Sequence, residues 1–304
     1  MNNKQKLSSI AMCTVGVGIL SWKSHETLEK SLQSYEKIGF KDLFDQAKII
    51  FQEFSLEDKK LAEKYGYDYV GTKENLGIQH GHKLIYENIT TDYVLVLEND
   101  NPVIEDGSTS FHRLLQAVEF LENGTIDLMR LRHRWKFGES FSLGKYLQYF
   151  DVQNRHEKYC HDSIVEYSLE RFIKPIKRFL RPDKADRVAG YSLYFEKYPE
   201  KIFPEYIKKI EDELFSVSSY IMSWTNQSVL LKRRFYGELL EYADKNPSSR
   251  TANGFQDLEK PLNTKWWRDQ NFQIGVGEGI FTHNRFDDSW RKSHQAFNQN
   301  IAVK

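Results

Sequence analysis

Two carboxylates flank one asparagine at Glu98-Asn99-Asp100, and Asn101-Pro102 follows. They close a short apolar run, Tyr93 to Leu97, rich in β-branched and aromatic residues. Such a run reads as a strand buried on both faces of a mostly parallel sheet. Open α/β sheets bind ligands at the carboxyl ends of their strands, where these acids fall. The chemistry open to them is that of a hard divalent cation whose other ligands are water and phosphate oxygens. The alternative is a polar turn that merely ends a strand, because short acidic motifs recur by chance.

The elements that must position these acids follow from periodicity. Thr14 to Leu20 reads as a first strand, and Ser24 as the cap of a helix through Leu28, Leu32 and Tyr35. Ala47 to Phe54 is a second strand. Ser55 with Asp58 has capping-box spacing, and Tyr65-Gly66 stops that helix. A short strand, Tyr67 to Gly71, and a helix from Gln79 to Asn88 lead into the acidic strand. This alternation of strand and helix predicts an α/β fold. Beyond it, Phe111 to Asn123 reads as a helix and Ile126 to Arg134 as a strand carrying Arg130, Arg132 and Arg134 on one charged edge. Ile202 to Phe215 is expected to be helical, as are Phe235 to Lys245 and a stretch starting at Asp257. Trp135 to Tyr167 has little periodicity.

Composition narrows the classes. The chain has 304 residues, 43 basic and 43 acidic, so its formal net charge is zero. A general nucleic-acid binder needs a basic footprint, so nucleic acid is excluded as a partner. Two cysteines, Cys13 and Cys160, make no disulfide framework and point to a reducing, cytoplasmic setting. The apolar run Ile10 to Leu20 is too short to span a bilayer, and Trp22-Lys23 follows it instead of a small-residue cleavage site. One domain over 1–304 is expected, with 10–110 and 111–290 as its two halves.

Four features in order carry a family resemblance. They are the opening Gly18-Ile-Leu-Ser-Trp-Lys-Ser-His-Glu-Thr-Leu28, Asn75-x-Gly77 before a helix, Leu97-Glu98-Asn99-Asp100, and the late Gly279-Ile-Phe-Thr-His283-Asn-Arg285. Together, over roughly Val15 to Arg285, the chain resembles the GT-A class of glycosyltransferases, and its family-2-like members in particular. The resemblance implies a Rossmann-like GT-A fold, with a mostly parallel central sheet and helices on both faces. It implies a nucleotide diphosphate sugar as donor, Mn²⁺ or Mg²⁺ as cofactor, and a glycan or glycolipid hydroxyl as acceptor. Glu98 stands where the class has Asp. The weight of the metal motif therefore falls on Asp100, the position that usually ligates directly.

What the resemblance implies residue by residue has chemical sense. A cation at Asp100 stabilises the charge that develops on a departing diphosphate. His283, neutral at pH 7, can complete its shell, and Arg285 is a permanent fork for phosphate oxygens. Their alternatives are a surface histidine in a polar turn and an ion pair with Asp287 or Asp288. Ser21, Trp22, Glu53, Asn75 and Gly77 fall where the nucleoside is held, with Glu98 and Asn99 beside them. Trp22 is equally readable as core, Glu53 as a solvated strand end, and Asn75-x-Gly77 as a plain turn. Inverting members carry their general base late, at a helix start, where this chain has Asp257 and Glu259; the spacing favours Glu259. A carboxylate in a first helical turn also has a purely structural use. Arg130, Arg132 and Arg134 are readable as contacts to phosphates or an anionic acceptor, or as a solvated strand edge.

The reading is transfer of a sugar with inversion. Its rivals are a non-catalytic carbohydrate-binding or assembly protein on the same scaffold, and a sugar-nucleotide nucleotidyltransferase. The latter needs a Gly-rich basic loop after the first strand, which Ser21-Trp22-Lys23-Ser24 is not. Finally, 171–187 is basic and carries Phe172, Ile173, Ile176, Phe179 and Leu180 at helical spacing, with Pro175 among them. Such a segment suits peripheral contact with an anionic membrane, or an apolar face packed on the domain with solvated charges.

Overall fold

The computed structural model describes residues 6–138, 143–155, 173–251 and 254–284. Its strands are β1 (Val15–Trp22), β2 (Gln46–Gln52), β3 (Asp68–Gly71), β4 (Tyr93–Glu98), β5 (Leu128–Arg132), β6 (Ile207–Glu211), β7 (Leu214–Ser218), β8 (Val229–Lys232) and β9 (Gln273–Phe281). They form one sheet in the order β3-β2-β1-β4-β8-β5-β9-β7-β6. β1 to β4 are mutually parallel where they pair, and β5 is parallel to β9. β8 is inserted antiparallel between β4 and β5, and β7 between β9 and β6. Seven of these nine strands therefore run in one direction, as expected for a mostly parallel α/β sheet, and the single sheet runs through both halves of the chain.

Helices cover both faces because strand residues alternate. Val15, Val17, Ile19, Leu95 and Leu97 point to one face and pack with Leu28, Leu32 and Tyr35 of helix His25–Ile38 and with Leu114, Val118 and Leu121 of helix Gly107–Glu122. Leu20, Ile50, Val94 and Val96 point to the other, with Ile85 of helix Ile78–Asn88 and Tyr236 and Leu239 of helix Arg233–Lys245. Helix Ile78–Asn88 lies close against β1 because Gly18 has no side chain. A Cβ there would come 2.5 Å from Ile85 Cγ2.

Local chemistry explains most boundaries. The Ser55–Asp58 capping box forms as read, and starts helix Leu56–Lys64. Ser24 does not cap: it is left-handed (φ 59°) and its side chain makes no capping bond. Helix Gly107–Glu122 starts four residues earlier than its apolar period suggests, because the Asp106 carboxylate accepts from Thr109 N at 2.9 Å. Ile202 to Phe215 is not a helix. A four-residue helix, Pro199–Ile202, is followed by the β6–β7 hairpin, in which β7 pairs with β9 and buries Phe215 and Val217. Tertiary pairing there overrides local spacing. The stretch from Asp257 gives two short helices, Glu259–Leu262 and Lys265–Gln270, instead of one.

The basic segment also divides, into helices Lys174–Leu180 and Pro182–Ala189, each with proline in its first turn. Arg171 and Phe172 lie outside the described residues. Helix Lys174–Leu180 is turned inside out. Lys174 is buried and its Nζ reaches Asp151 Oδ1 at 2.6 Å, while Arg178 donates to the Tyr149 carbonyl. Ile173, Ile176, Phe179 and Leu180 face solvent, Phe179 at 85% exposure. The expected packing of an apolar face on the domain is thus replaced by its opposite.

Candidate active site

The acidic exit of β4 and the end of β9 meet through the backbone. Ile104 N donates to Ile280 O, Thr282 N to Pro102 O and Asn284 N to Asp100 O, at 3.0, 3.1 and 3.0 Å. Tyr35 Oη and Ser31 Oγ hold the Asn101 and Asn99 carbonyls, each at 2.7 Å. This clamp places the Asp100 carboxylate 2.9 Å from His283 Nε2. Both side chains are buried, at 3% and 6% exposure, so His283 is not a surface histidine. Glu98 and Asn99 beside them are half-buried. Arg285 lies outside the described residues.

The pair suits a small divalent cation. An octahedral shell with bonds of about 2.1 Å has neighbouring ligands about 3 Å apart, close to the observed separation. No group of three or more His, Cys, Asp or Glu side chains able to hold a metal occurs among the described residues. Asp100 and His283 would therefore supply two positions and leave the rest to water and phosphate, which is how small hard cations are commonly shared with phosphates.

At the exits of β1 and β2, Trp22 Nε1 donates to Glu53 Oε2 at 3.0 Å, and Lys23 Nζ lies 2.8 Å from Glu53 Oε1. Trp22 is half-buried, not core. Lys23, Ser24 and Glu53 all have positive φ (51°, 59°, 55°), a backbone state that non-glycine residues adopt at a cost. The Asn75-x-Gly77 turn is fixed by Gln52, which is buried at the end of β2. Its Oε1 accepts from Leu76 N at 2.7 Å and its Nε2 donates to Gly77 O at 3.1 Å. Asn75 Oδ1 accepts from Gly77 N at 2.9 Å. Gly77 (φ 84°) lies against Phe255, where a Cβ would come 2.4 Å from Phe255 Cβ. Ser21 departs from the expectation. It is 1% exposed, and its hydroxyl is buried with no hydrogen-bond partner among the described residues, because strand alternation turns it into the core.

The late carboxylates separate into two roles. Asp257 is buried, and its Oδ1 accepts from Asn226 Nδ2 at 3.0 Å and from Glu259 N at 3.1 Å. It therefore fixes the turn that presents Glu259. Glu259 is the first residue of its helix and lines a cavity of about 390 Å³ that His283 also lines. Burial raises the Glu259 carboxyl above its ordinary 4.5, and the charge of Asp257 adds to this. The N–H of Asn226 and the charges of Arg130 and Lys260 oppose it. A carboxylate made more basic in a cleft is suited to take a proton.

The arginines of β5, and Arg134 just beyond it, are not a solvated edge. Arg130, Arg132 and Arg134 are 7%, 8% and 0% exposed. Arg134 is structural: it pairs with Glu213 at 3.1 Å, donates to the Leu193 and Glu196 carbonyls, and stacks on Trp135, while burial pulls its guanidinium down to about 10. Arg130 and Arg132 line the cavity with Glu259. Gln227 had escaped sequence reasoning. Its Oε1 accepts from Arg132 Nη1 at 3.0 Å, and its Nε2 lies 3.0 Å from His283 Nε2. Nothing in its sequence neighbourhood marks it. Gln52 left a faint signal, as an amide ending an apolar run.

No family model matches the chain, and no curated protein matches it in sequence. Among solved structures it is similar to a mannosyltransferase from Pyrobaculum calidifontis in complex with GDP-Man and Mn²⁺, at 11% identity and a TM-score of 0.43, over 86% of this chain and 54% of that one. It is similar to S. aureus TarS 1–349 at 12% identity and 0.46, over 89% and 60%. It is also similar to glucosyl-3-phosphoglycerate synthase from Mycobacterium tuberculosis with Mn²⁺, UDP and glucosyl-3-phosphoglycerate, at 10% and 0.44, over 96% and 81%. The chain thus spans little more than half of the first and three fifths of the second. Likenesses this distant assign neither a substrate nor a residue role here.

Proposed function

We propose that this protein is a metal-dependent, inverting GT-A-type glycosyltransferase. It would move a sugar from a nucleotide diphosphate sugar to a hydroxyl of a glycan or glycolipid. The observation that carries the reading is that His283, bonded to Asp100, and Glu259 line one ligand-sized cavity beside the carboxyl ends of parallel strands. The nucleoside lies over the exits of β1 and β2, against Trp22 and Glu53, with the Asn75–Gly77 turn beside it. Asp100 and His283 would hold Mn²⁺ or Mg²⁺, which would supply charge stabilisation to the departing diphosphate. Glu259, held by Asp257 and Asn226, takes the proton of the attacking hydroxyl at a carboxylate oxygen. Loss of that proton makes the oxygen a better nucleophile as it meets the sugar carbon from the side opposite the leaving phosphate.

A second reading, peripheral membrane attachment, is favoured by one observation: helix Lys174–Leu180 presents Ile176, Phe179 and Leu180 to solvent, with Arg181 exposed beside them. No helix among the described residues is long and apolar enough to cross a membrane. Burial and nearby acids push the Cys13 thiol up to about 11, keeping it protonated and unreactive. The test is a panel of nucleotide sugars. At least one should raise the melting temperature with Mn²⁺ and not with chelator, and should be hydrolysed slowly. No stabilisation by any member, with metal present, would leave the carbohydrate-binding or assembly role standing instead.

A further inference from the structure

Among the described residues, the cavity beside Glu259 is lined by more guanidinium groups than carboxylates. Arg130, Arg132 and Arg187 all line it, the last from helix Pro182–Ala189. Arg130 is the informative one. It is only 7% exposed, donates one Nη to the Ser223 carbonyl, and leaves its Nε buried without a hydrogen-bond partner among the described residues. No carboxylate lies within ion-pair distance of it among the described residues, whereas Arg134, two turns of the pleat away, has Glu213. A buried guanidinium with an unanswered N–H is costly unless something anionic completes it. Arg132 is already held by the Phe137 carbonyl and Gln227; among the described lining residues, Arg130 and Arg187 against Glu259 leave a net positive charge that suits an anion such as a phosphate. Planar N–H forks match phosphate oxygens in shape as well as charge.

Position argues against the donor's own phosphates as the occupant. The cavity lining includes His283 but none of Trp22, Glu53, Asn75, Gly77 or Asp100. It lies on the Glu259 side of the metal pair, where an acceptor must sit to give up its proton. We propose that Arg130 and Arg187 bind a phosphate carried by the acceptor, so that the hydroxyl to be glycosylated belongs to a phosphorylated sugar, polyol or glycan. This rests on the transferase reading for the word acceptor, and on the cavity alone for the anion.

The experiment is calorimetry on the full chain with glycerol phosphate as probe and glycerol as uncharged control, first in chelator. Glycerol phosphate should bind and glycerol should not. Arg130→Gln and Arg187→Gln should each weaken it about ten-fold or more, as expected for losing a charged hydrogen bond. Arg187 is exposed, so its substitution tests the idea even where Arg130→Gln disturbs folding, which circular dichroism would reveal. Asp100→Asn should leave glycerol phosphate binding intact and remove the metal-dependent part of nucleoside diphosphate binding. The proposal is overturned if glycerol phosphate binds no better than glycerol, if Arg187→Gln and Arg130→Gln leave it unchanged, or if they weaken nucleoside diphosphate as much as the probe. Should nucleoside diphosphates fail to bind with Mn²⁺ while the probe keeps this pattern, the transferase reading falls and the anion site stands.

Discussion

Glu259→Gln is the sharpest perturbation of the proposed chemistry. Glutamine keeps the shape, and its Oε1 can still accept the Asn226 N–H that now reaches Glu259 at 3.3 Å. The Asp257 bonds to Asn226 and to the Glu259 backbone are untouched. What is lost is the ability to take a proton. Turnover should fall by about two to four orders of magnitude, or about 3 to 5 kcal/mol of transition-state stabilisation. Donor binding should stay within a factor of about two. Asp257→Asn is the companion. Its amide oxygen can still accept both bonds, but the negative charge that helps raise Glu259 is gone. The sign follows from general-base catalysis: activity is present above the folded pKa of Glu259 and lost as pH falls through it. The native acid limb therefore lies above 4.5, and Asp257→Asn moves it down with little change in plateau turnover. The assay is donor consumption against pH, with the nucleotide sugar found in the panel, for all three proteins. Near-normal turnover in Glu259→Gln together with loss in Asp257→Asn would show that the wrong carboxylate has been given the proton. Full activity in both would remove the inverting model.

Mn²⁺ should strengthen nucleoside diphosphate binding, Asp100→Ala should abolish that gain and His283→Ala reduce it; equal calorimetric affinity in metal and chelator for the native protein speaks against the cation site. The protein should float with anionic vesicles at low salt and be released at high salt, and Phe179→Ser/Leu180→Ser should stay in solution without loss of melting temperature, because both side chains are already exposed. Vesicle binding that survives this pair puts the contact elsewhere. Burial holds His82 neutral, down to about 3. Since the unfolded chain binds a proton there near 6.5 and the native chain does not, stability is full above 6.5 and is lost as pH falls toward 3, by up to about 1.4 kcal/mol per pH unit. Urea melts of native protein and His82→Leu between pH 6.5 and 4 should differ by that slope, and parallel curves would mean that His82 protonates in place.

The first half was legible because its signals are local. The continuous run Tyr93 to Leu97, the Ser55–Asp58 box and the stop at Gly66 each depend on neighbours within a few residues, and all three stand in the structure. The Asp100–His283 pairing was legible only through motif order, since nothing local joins residues 183 apart. The second half hid its plan. β6 and β7 are set by pairing with β9, which no window around Ile207 contains. The arginines of β5 alternate like a solvated edge, and distant segments, among them 221–227 and helix Pro182–Ala189, turn that edge into a cavity wall. The inverted helix Lys174–Leu180 has the apolar spacing of an ordinary amphipathic helix. Its direction was decided by Asp151 and the Tyr149 carbonyl, outside its own sequence.

β9 is the last strand of the described chain, yet it lies inside the sheet, between β5 and β7. That has a consequence for biosynthesis. A ribosome adding about 5 to 20 residues per second needs about 10 to 40 s to travel from Asp100 to His283. Through that interval the acidic tip of β4 lacks its imidazole, and the β6–β7 hairpin, once made, has to wait for β9. A nascent chain is therefore inert toward any substrate that needs both ends of the clamp. The open flank of β5 is exposed to other chains over the same interval, which is when a chaperone has most to do.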